Sequence, residues 1–170
     1  LDVRSKQAFE AYRNLTGSRQ LNALGNGEHG WLVDGEGRPA VALTYVGLDL
    51  ILSRPQDGKL VGFLKLNPES AFLPVATSRD GTRLYALTEE NRAQRELVEY
   101  DIAAAKVTRT LFSRPGSDVQ SIIFDPGRQP IGVRYFRDGN LLSEYFDASN
   151  QHVVELLKQA FPGRMASVID

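Results

Sequence analysis

Residues 73–112 constrain the fold most, because they contain four short apolar segments separated by polar turns. The pair Asp80-Gly81 is a hairpin signal, since these residue types adopt the positive φ angles that tight turns require. The predicted strands are residues 73–77, 84–87, 97–102 and 107–112, with a charged loop at 89–95. Such a meander has two apolar faces and cannot bury both by itself. The stretch therefore predicts a sheet that stacks between similar sheets.

Two similar units flank this stretch. The first has predicted strands at 29–34, 39–46, 48–53 and 60–66, with turns at 35–37 and 54–58. The second has predicted strands at 119–124, 131–136 and 141–146, with turns at 125–127 and 137–140. First strands begin near Gly30, Pro74, Asp118 and Ala166, at steps of about 44, 44 and 48 residues. This period predicts an all-β fold of consecutive four-stranded antiparallel blades, a partial β-propeller. A plain β-sandwich is the alternative.

The ends of the chain depart from this pattern. One helix is predicted at 149–161, capped by Ser149 or Asn150 and ended by Pro162-Gly163. Residues 1–24 fit either a short amphipathic helix or a strand at 10–15 followed by a turn. We interpret residues 1–170 as a single partial propeller domain, with units at about 28–66, 73–112 and 118–165. Residues 166–170 would begin a further blade.

Composition excludes several classes of function. The 170 residues carry 20 basic and 21 acidic side chains, a net charge of -1, so we expect neither a nucleic-acid nor a membrane partner. The absence of cysteine excludes disulfides, thiol nucleophiles and thiolate metal sites. No apolar run is long enough to cross a bilayer. The chain begins at Leu1 rather than Met, and we expect that it was processed or cut from something larger.

No residue pattern predicts catalysis. The sequence contains no G-x-S-x-G nucleophile elbow, and His29 and His152 stand apart from any recognisable triad or metal-ligand spacing. We therefore expect no catalytic residue, no metal ligand, no cofactor-binding residue and no cofactor within this chain. An enzyme complete within these residues is the least favoured reading.

Other suggestive residues have ordinary explanations. Trp31 is more typical of a core than of a ligand platform. A hairpin explains Gly35-x-Gly37 better than a dinucleotide-binding loop does. The carboxylates of Asp80 and Glu89-Glu90 could form a glycosidase pair, but a solvated loop is favoured. The run Asp138-Gly139-Asn140 lacks the further oxygen ligands of a calcium loop.

Arginines recur at the predicted turns. If several pointed into a propeller channel, they could bind a substrate carboxylate through two parallel hydrogen bonds. The candidates are Arg13, Arg19, Arg38, Arg54, Arg79, Arg114, Arg128 and Arg137.

Particular motifs resemble one family. Residues 31–38, WLVDGEGR, resemble the W-L-x-D-x-x-G-x-x-R stretch of propellers in bacterial prolyl oligopeptidase-family (acylaminoacyl-peptidase-like) serine peptidases, with one residue fewer before the arginine. Residues 78–85 and 97–101 are similar to the D-G-x-x-L-Y and L-x-x-Y-D motifs of a blade in that family. Asp118-Val119, the strand at 132–135 and the helix at 156–162 also follow the family pattern. The resemblance covers roughly residues 12–170.

The resemblance implies a two-domain serine peptidase whose propeller caps an α/β-hydrolase domain carrying the Ser, Asp and His. Those residues would lie downstream of Asp170, so this segment would wall a cavity and restrict the substrate to short peptides. The implied partners are the hydrolase domain of the parent chain, its short peptide substrates, and further copies of the segment, since uncovered sheet faces favour self-association. The location is left open, since the absence of cysteine fits a bacterial protein of either the cytoplasm or the periplasm. A stand-alone binding or interaction module without catalytic activity is the alternative.

Overall fold

The computed structural model describes residues 29–162, which form three antiparallel sheets and one helix. The first sheet contains β1 (His29–Val33), β2 (Pro39–Val46), β3 (Asp49–Gln56) and β4 (Lys59–Leu66). The second contains β5 (Phe72–Thr77), β6 (Arg83–Thr88), β7 (Glu96–Asp101) and β8 (Lys106–Phe112). The third contains β9 (Val119–Phe124), β10 (Pro130–Arg137) and β11 (Asn140–Tyr145), and α1 (Ala148–Ala160) follows it. The expected all-β class is confirmed.

Each sheet is a meander in which strands adjacent in sequence are also neighbours in space. Two-residue turns with positive φ at both positions close two of the hairpins. These are Asp57-Gly58, with φ of 50° and 72°, and Asp138-Gly139, with φ of 50° and 76°. Such angles match the right-handed twist of the paired strands, so the Asp-Gly pairs set the strand ends.

The predicted turn at residues 54–58 is wrong in its extent. β3 continues through Arg54, Pro55 and Gln56, and Pro55 is in register with Leu60 of β4. Pairing between β2 and β3 reaches only to Ser53, so Pro55 has a neighbouring strand on one side alone. Proline is tolerated at such an edge position because no second ladder needs its missing N–H.

The second sheet is buried on both faces. Leu84 and Ala86 of β6 join a core cluster with residues of the first sheet, whereas Tyr85 and Leu87 join a cluster with residues of the third sheet. This alternation follows from the two-residue period of a strand, since successive side chains point to opposite faces. The sheets therefore stack face to face, with the second sheet in the middle.

The third unit has the three predicted strands and the predicted helix, so the general expectation of four-stranded sheets does not hold for it. Its sheet has three strands among the described residues, and α1 follows in place of a fourth. Val154 of α1 is fully buried and packs with Ile123 and Tyr145. The helix thus covers the face of the third sheet that lies away from the second sheet.

The predicted cap of this helix is also wrong by two or three residues. Asp147 is the N-cap, with φ of -90° and ψ of 131°, and its carboxylate accepts hydrogen bonds from the N–H groups of Ser149 and Asn150. The Ser149 hydroxyl itself donates to Asp147. A carboxylate placed here satisfies two of the N–H groups that a helix start leaves without partners.

The predictions for residues 1–24 and for a strand at 165–169 lie outside the described residues. Of the residues that are described, none belongs to a helix long and apolar enough to span a bilayer.

Candidate binding site at the first turns of the sheets

The first two strands of each sheet are joined by a polar turn, and the three turns lie together. We call residues 34–38, 78–82 and 125–129 the first turns. The Gly35 N–H donates to the Arg79 carbonyl oxygen at 2.9 Å, and the Tyr85 hydroxyl donates to Gln129 Oε1 at 3.4 Å. Between them lies a depression of about 540 Å³. Its lining residues are Glu36, Arg38, Ser78, Arg79, Asp80, Arg83, Tyr85, Glu99 and Gln129.

Asp34 holds the turn of the first sheet together. Its buried carboxylate accepts the N–H groups of Glu36 and Arg38, each at 2.9 Å, and Arg38 Nε at 2.7 Å. Burial by itself raises the pKa of Asp34, but the hydrogen bonds from the side chain and backbone of Arg38 and from the backbone of Glu36 outweigh it, so the pKa is lowered. Arg38 is therefore held by this carboxylate and by Glu36, at 3.1 Å.

Asp34→Asn should reduce the free energy of unfolding at pH 7 by about 1–2 kcal/mol, because charge-assisted hydrogen bonds become neutral ones. A lowered pKa in the folded state means that ionised Asp34 stabilises the fold above its unfolded pKa of about 3.9 and loses this effect as the pH falls. The difference between wild type and variant should therefore be smaller at pH 2 than at pH 7. Urea denaturation at the two pH values measures it.

Asp57→Asn is the matched control, since Asp57 is exposed in a turn with φ of 50°, which asparagine also adopts. It should change the stability little at either pH. An Asp34→Asn effect that persists undiminished at pH 2 would contradict the role of the charge.

In the first turn of the second sheet, Ser78 and Asp80 are hydrogen-bonded to each other. Ser78 Oγ donates to Asp80 Oδ1 at 2.5 Å and accepts the Arg83 N–H at 3.0 Å. Asp80 also accepts the backbone and hydroxyl donors of Thr82, at 3.1 and 2.9 Å. Donation by the Ser78 hydroxyl, then by Thr82, lowers the pKa of Asp80. The serine is buried and its hydroxyl donates to a carboxylate that hydrogen bonds make less basic, so this pair shapes the turn rather than forming a nucleophile.

Glu99 is a buried carboxylate at the floor of the depression. It accepts hydrogen bonds from Arg83 Nη1 at 2.5 Å and Arg109 Nη2 at 3.1 Å, and the Thr108 hydroxyl lies 3.4 Å away. Two guanidinium groups thus compensate one charge that is only 6% exposed. Burial, followed by the negative charges of Glu99 and Asp80, raises the pKa of the neighbouring Tyr85. Its hydroxyl therefore stays protonated and can donate.

Arg79 differs from the other lining arginines. It is exposed, and its guanidinium has no hydrogen bond or ion pair with any residue in the described part of the chain. Its stem lies against Gly35, where an added Cβ would be 2.4 Å from Arg79 Cγ. Because Gly35 has no side chain, the Arg79 stem can lie against the first turn of the first sheet.

The predicted arginines are spread over the molecule. Arg38 and Arg79 line the depression, whereas Arg54 lies on β3 and Arg137 lies 3.8 Å from Asp138 in another turn. Arg114 forms an ion pair with Glu144 and lies over the rings of Phe112 and Tyr135. Arg128 lies in the first turn of the third sheet. Arg13 and Arg19 fall outside the described residues.

Of the remaining candidates, Asp80 lines the depression, whereas Glu89, His29, Trp31 and His152 do not line it. Asp80 precedes β6 and Glu89 follows it, so the strand separates the proposed glycosidase carboxylates, and Glu89 pairs instead with Arg95. His29 begins β1, Trp31 is half-buried in the same strand, and His152 is exposed on α1. Residues 35–37 form a hairpin turn, as predicted. Within residues 29–162, no group of three or more metal-ligating side chains is arranged to hold an ion.

Sequence reasoning did not single out five members of the site: Gly35 as a spacer, Arg83, Tyr85, Glu99 and Gln129. The sequence does indicate that Glu99 is unusual, because this charged residue interrupts an apolar strand between Val98 and Tyr100, both buried. A charge at such a position requires compensating partners. Chemically, the depression offers guanidinium, hydroxyl and amide donors that can bind a ligand.

Comparison with known proteins adds no assignment: the sequence matches no known family model and no curated protein.

Proposed function

We propose that this chain is part of a β-propeller and that each sheet is one blade. The observation that carries the proposal is the burial of the second sheet on both faces, between neighbours on either side. Contacts between equivalent positions support it. Thr77 Oγ1 donates to the Val33 carbonyl at 2.7 Å, and the contacts Gly35–Arg79 and Tyr85–Gln129 likewise join residues 44 positions apart. A structural repeat stacked on its neighbours produces this spacing.

The propeller segment would belong to a prolyl oligopeptidase-like serine peptidase and would itself be non-catalytic. Its role would be to shape and gate the access of short peptides to a hydrolase domain that this chain lacks. The motif residues support the proposal by their positions. Asp34 and Arg38 of the first motif form an ion pair that closes a first turn, and the motif at 97–101 lies on the central strand β7. A charged depression at the ends of the stacked sheets would suit a surface that substrate peptides contact on their way to the hydrolase domain.

The parent reading frame and an activity assay test this proposal together. A G-x-S-x-G sequence should follow residue 170, the full-length parent should hydrolyse a chromogenic peptide, and replacing that serine by alanine should abolish turnover. The 170-residue chain alone should release no chromophore. Turnover by this chain alone, or a parent frame without a hydrolase motif, would refute the proposal.

Self-association is part of the same proposal. Tyr45, Val46 and Leu48 are exposed at the end of the β2–β3 hairpin, and Val153 and Leu156 are exposed on α1. These apolar side chains lie on the first sheet and on the helix that covers the third sheet, the two ends of the stack, where further copies could dock. A monodisperse monomer in light scattering would contradict it.

A binding module without a hydrolase is the second candidate, because the depression at the first turns is lined by polar and charged side chains that can bind a ligand. A stop codon soon after residue 170 would favour it.

A further inference from the structure

We propose that the depression at the first turns binds a small ligand with one free carboxylate, and that Arg79 receives it through two parallel hydrogen bonds. The Arg79 guanidinium is exposed, lines the depression and makes no ion pair within residues 29–162, so its donors are available. Arginine presents a planar pair of N–H donors that matches the two oxygens of a carboxylate.

The pairing of the other charges leaves Arg79 as the anchor. Arg38 is bound to Asp34 and Glu36, and Arg83 is bound to Glu99. An incoming carboxylate would have to break one of these pairs to use either arginine. At Arg79 it would break no ion pair within residues 29–162, which makes this position the least costly one for a negative charge.

The charge balance restricts the ligand to a single negative charge. The lining contains three carboxylates and three guanidinium groups, so the depression has no overall positive field. A phosphate dianion or a nucleic-acid backbone requires a surplus of cations, which is absent from this lining. A monocarboxylate needs only one uncompensated guanidinium.

Neutral donors beside the arginine favour a ligand that also carries a carbonyl. Gln129 Oε1 accepts the Tyr85 hydroxyl, and among the described residues the Gln129 amide nitrogen has no acceptor. Its two N–H groups can therefore donate to a ligand carbonyl. A carboxylate close to an amide carbonyl is the carboxyl terminus of a peptide, and in choosing this ligand the inference rests on the proposed function.

The orientation of Arg79 depends on Gly35. The Gly35 N–H fixes the Arg79 carbonyl, and the arginine stem passes through the space that a side chain at position 35 would fill. Gly35→Ala should therefore displace the guanidinium while leaving the charge of the depression unchanged. This separates a positioned arginine from a merely positive surface.

The test is a titration of the 170-residue chain followed by amide chemical shifts in NMR spectra. N-acetyl-dialanine with a free carboxylate should shift the amides of Gly35, Gly81 and Gln129, and the same peptide with a carboxyl-terminal amide should not. Arg79→Ala should weaken binding about tenfold or more, and Gly35→Ala should weaken it as well. Arg79→Lys keeps the charge and the stem, and should recover part of the affinity. Arg137→Ala, at an exposed arginine outside the depression, should bind as the wild type does.

Equal binding of the acid and the amide, or unchanged affinity of folded Arg79→Ala and Arg79→Lys, would overturn the proposal. Inorganic phosphate binding as tightly as the acid would overturn the restriction to a single charge. The result is independent of hydrolysis, because it uses this chain alone. A parent without a hydrolase would refute the proposed function and leave the binding result standing, and loss of binding would leave the hydrolase question open.

Discussion

Leu84→Ala and Leu97→Ala should each lower the free energy of unfolding by about 2–5 kcal/mol. Both side chains are completely buried in the second sheet, but they point to opposite sides of it. Leu84 packs in the cluster shared with the first sheet, and Leu97 packs in the cluster shared with the third. Each truncation removes apolar contacts and leaves a cavity that strands pinned on both sides cannot easily close. Urea denaturation followed by circular dichroism measures the two losses.

The exposed Leu48→Ala is the control for the loss of leucine itself. Leu48 is 81% exposed, so the same change should alter stability by no more than about 0.5 kcal/mol. If only one of the two buried leucines proved costly, the second sheet would have a single packed face. That result would contradict the stacked arrangement and favour a two-layer fold.

Gly132→Ala should destabilise the fold by about 1–3 kcal/mol although it adds one methyl group. Gly132 lies on β10 opposite Tyr145 of β11, and an added Cβ would be 2.5 Å from the Glu144 carbonyl oxygen and 3.1 Å from Tyr145 Cα. These are backbone atoms, so the clash cannot be relieved by a change of rotamer. The two strands would have to separate locally, next to the cluster that α1 joins. Thermal or urea denaturation detects the loss.

Gly62→Ala is the matched control, because it makes the same change on another strand. At Gly62 the nearest side-chain atoms would lie 3.7 and 3.8 Å from the new Cβ, which is ordinary van der Waals contact. This variant should keep or slightly gain stability, since alanine restricts the unfolded chain. Equal stability of the two variants would show that β10 and β11 are not packed as closely as described.

The number and order of the strands could be predicted because their signals are local. Asp57-Gly58 and Asp138-Gly139 mark turns by their backbone preferences, and the continuous apolar run at residues 84–87 marks a strand with two buried faces. Where a local signal was ambiguous, the prediction was wrong. Pro55 suggested a turn, but the limited reach of β2 makes it an edge residue. Asp147 rather than Ser149 is the N-cap of the helix, because its carboxylate accepts hydrogen bonds from two N–H groups at once.

The sequence by itself determined a run of antiparallel meanders at a spacing of about 44 residues, since turn chemistry and strand periodicity act over a few residues. Only the tertiary structure decided which charges are compensated. Arg38 and Arg79 look equivalent in the sequence, yet the first is bound to Asp34 and the second has no acidic partner in the described part of the chain. The Asp34–Arg38 contact forms within one turn, but the place of Arg79 beside Gly35 arises only after the first and second sheets have stacked.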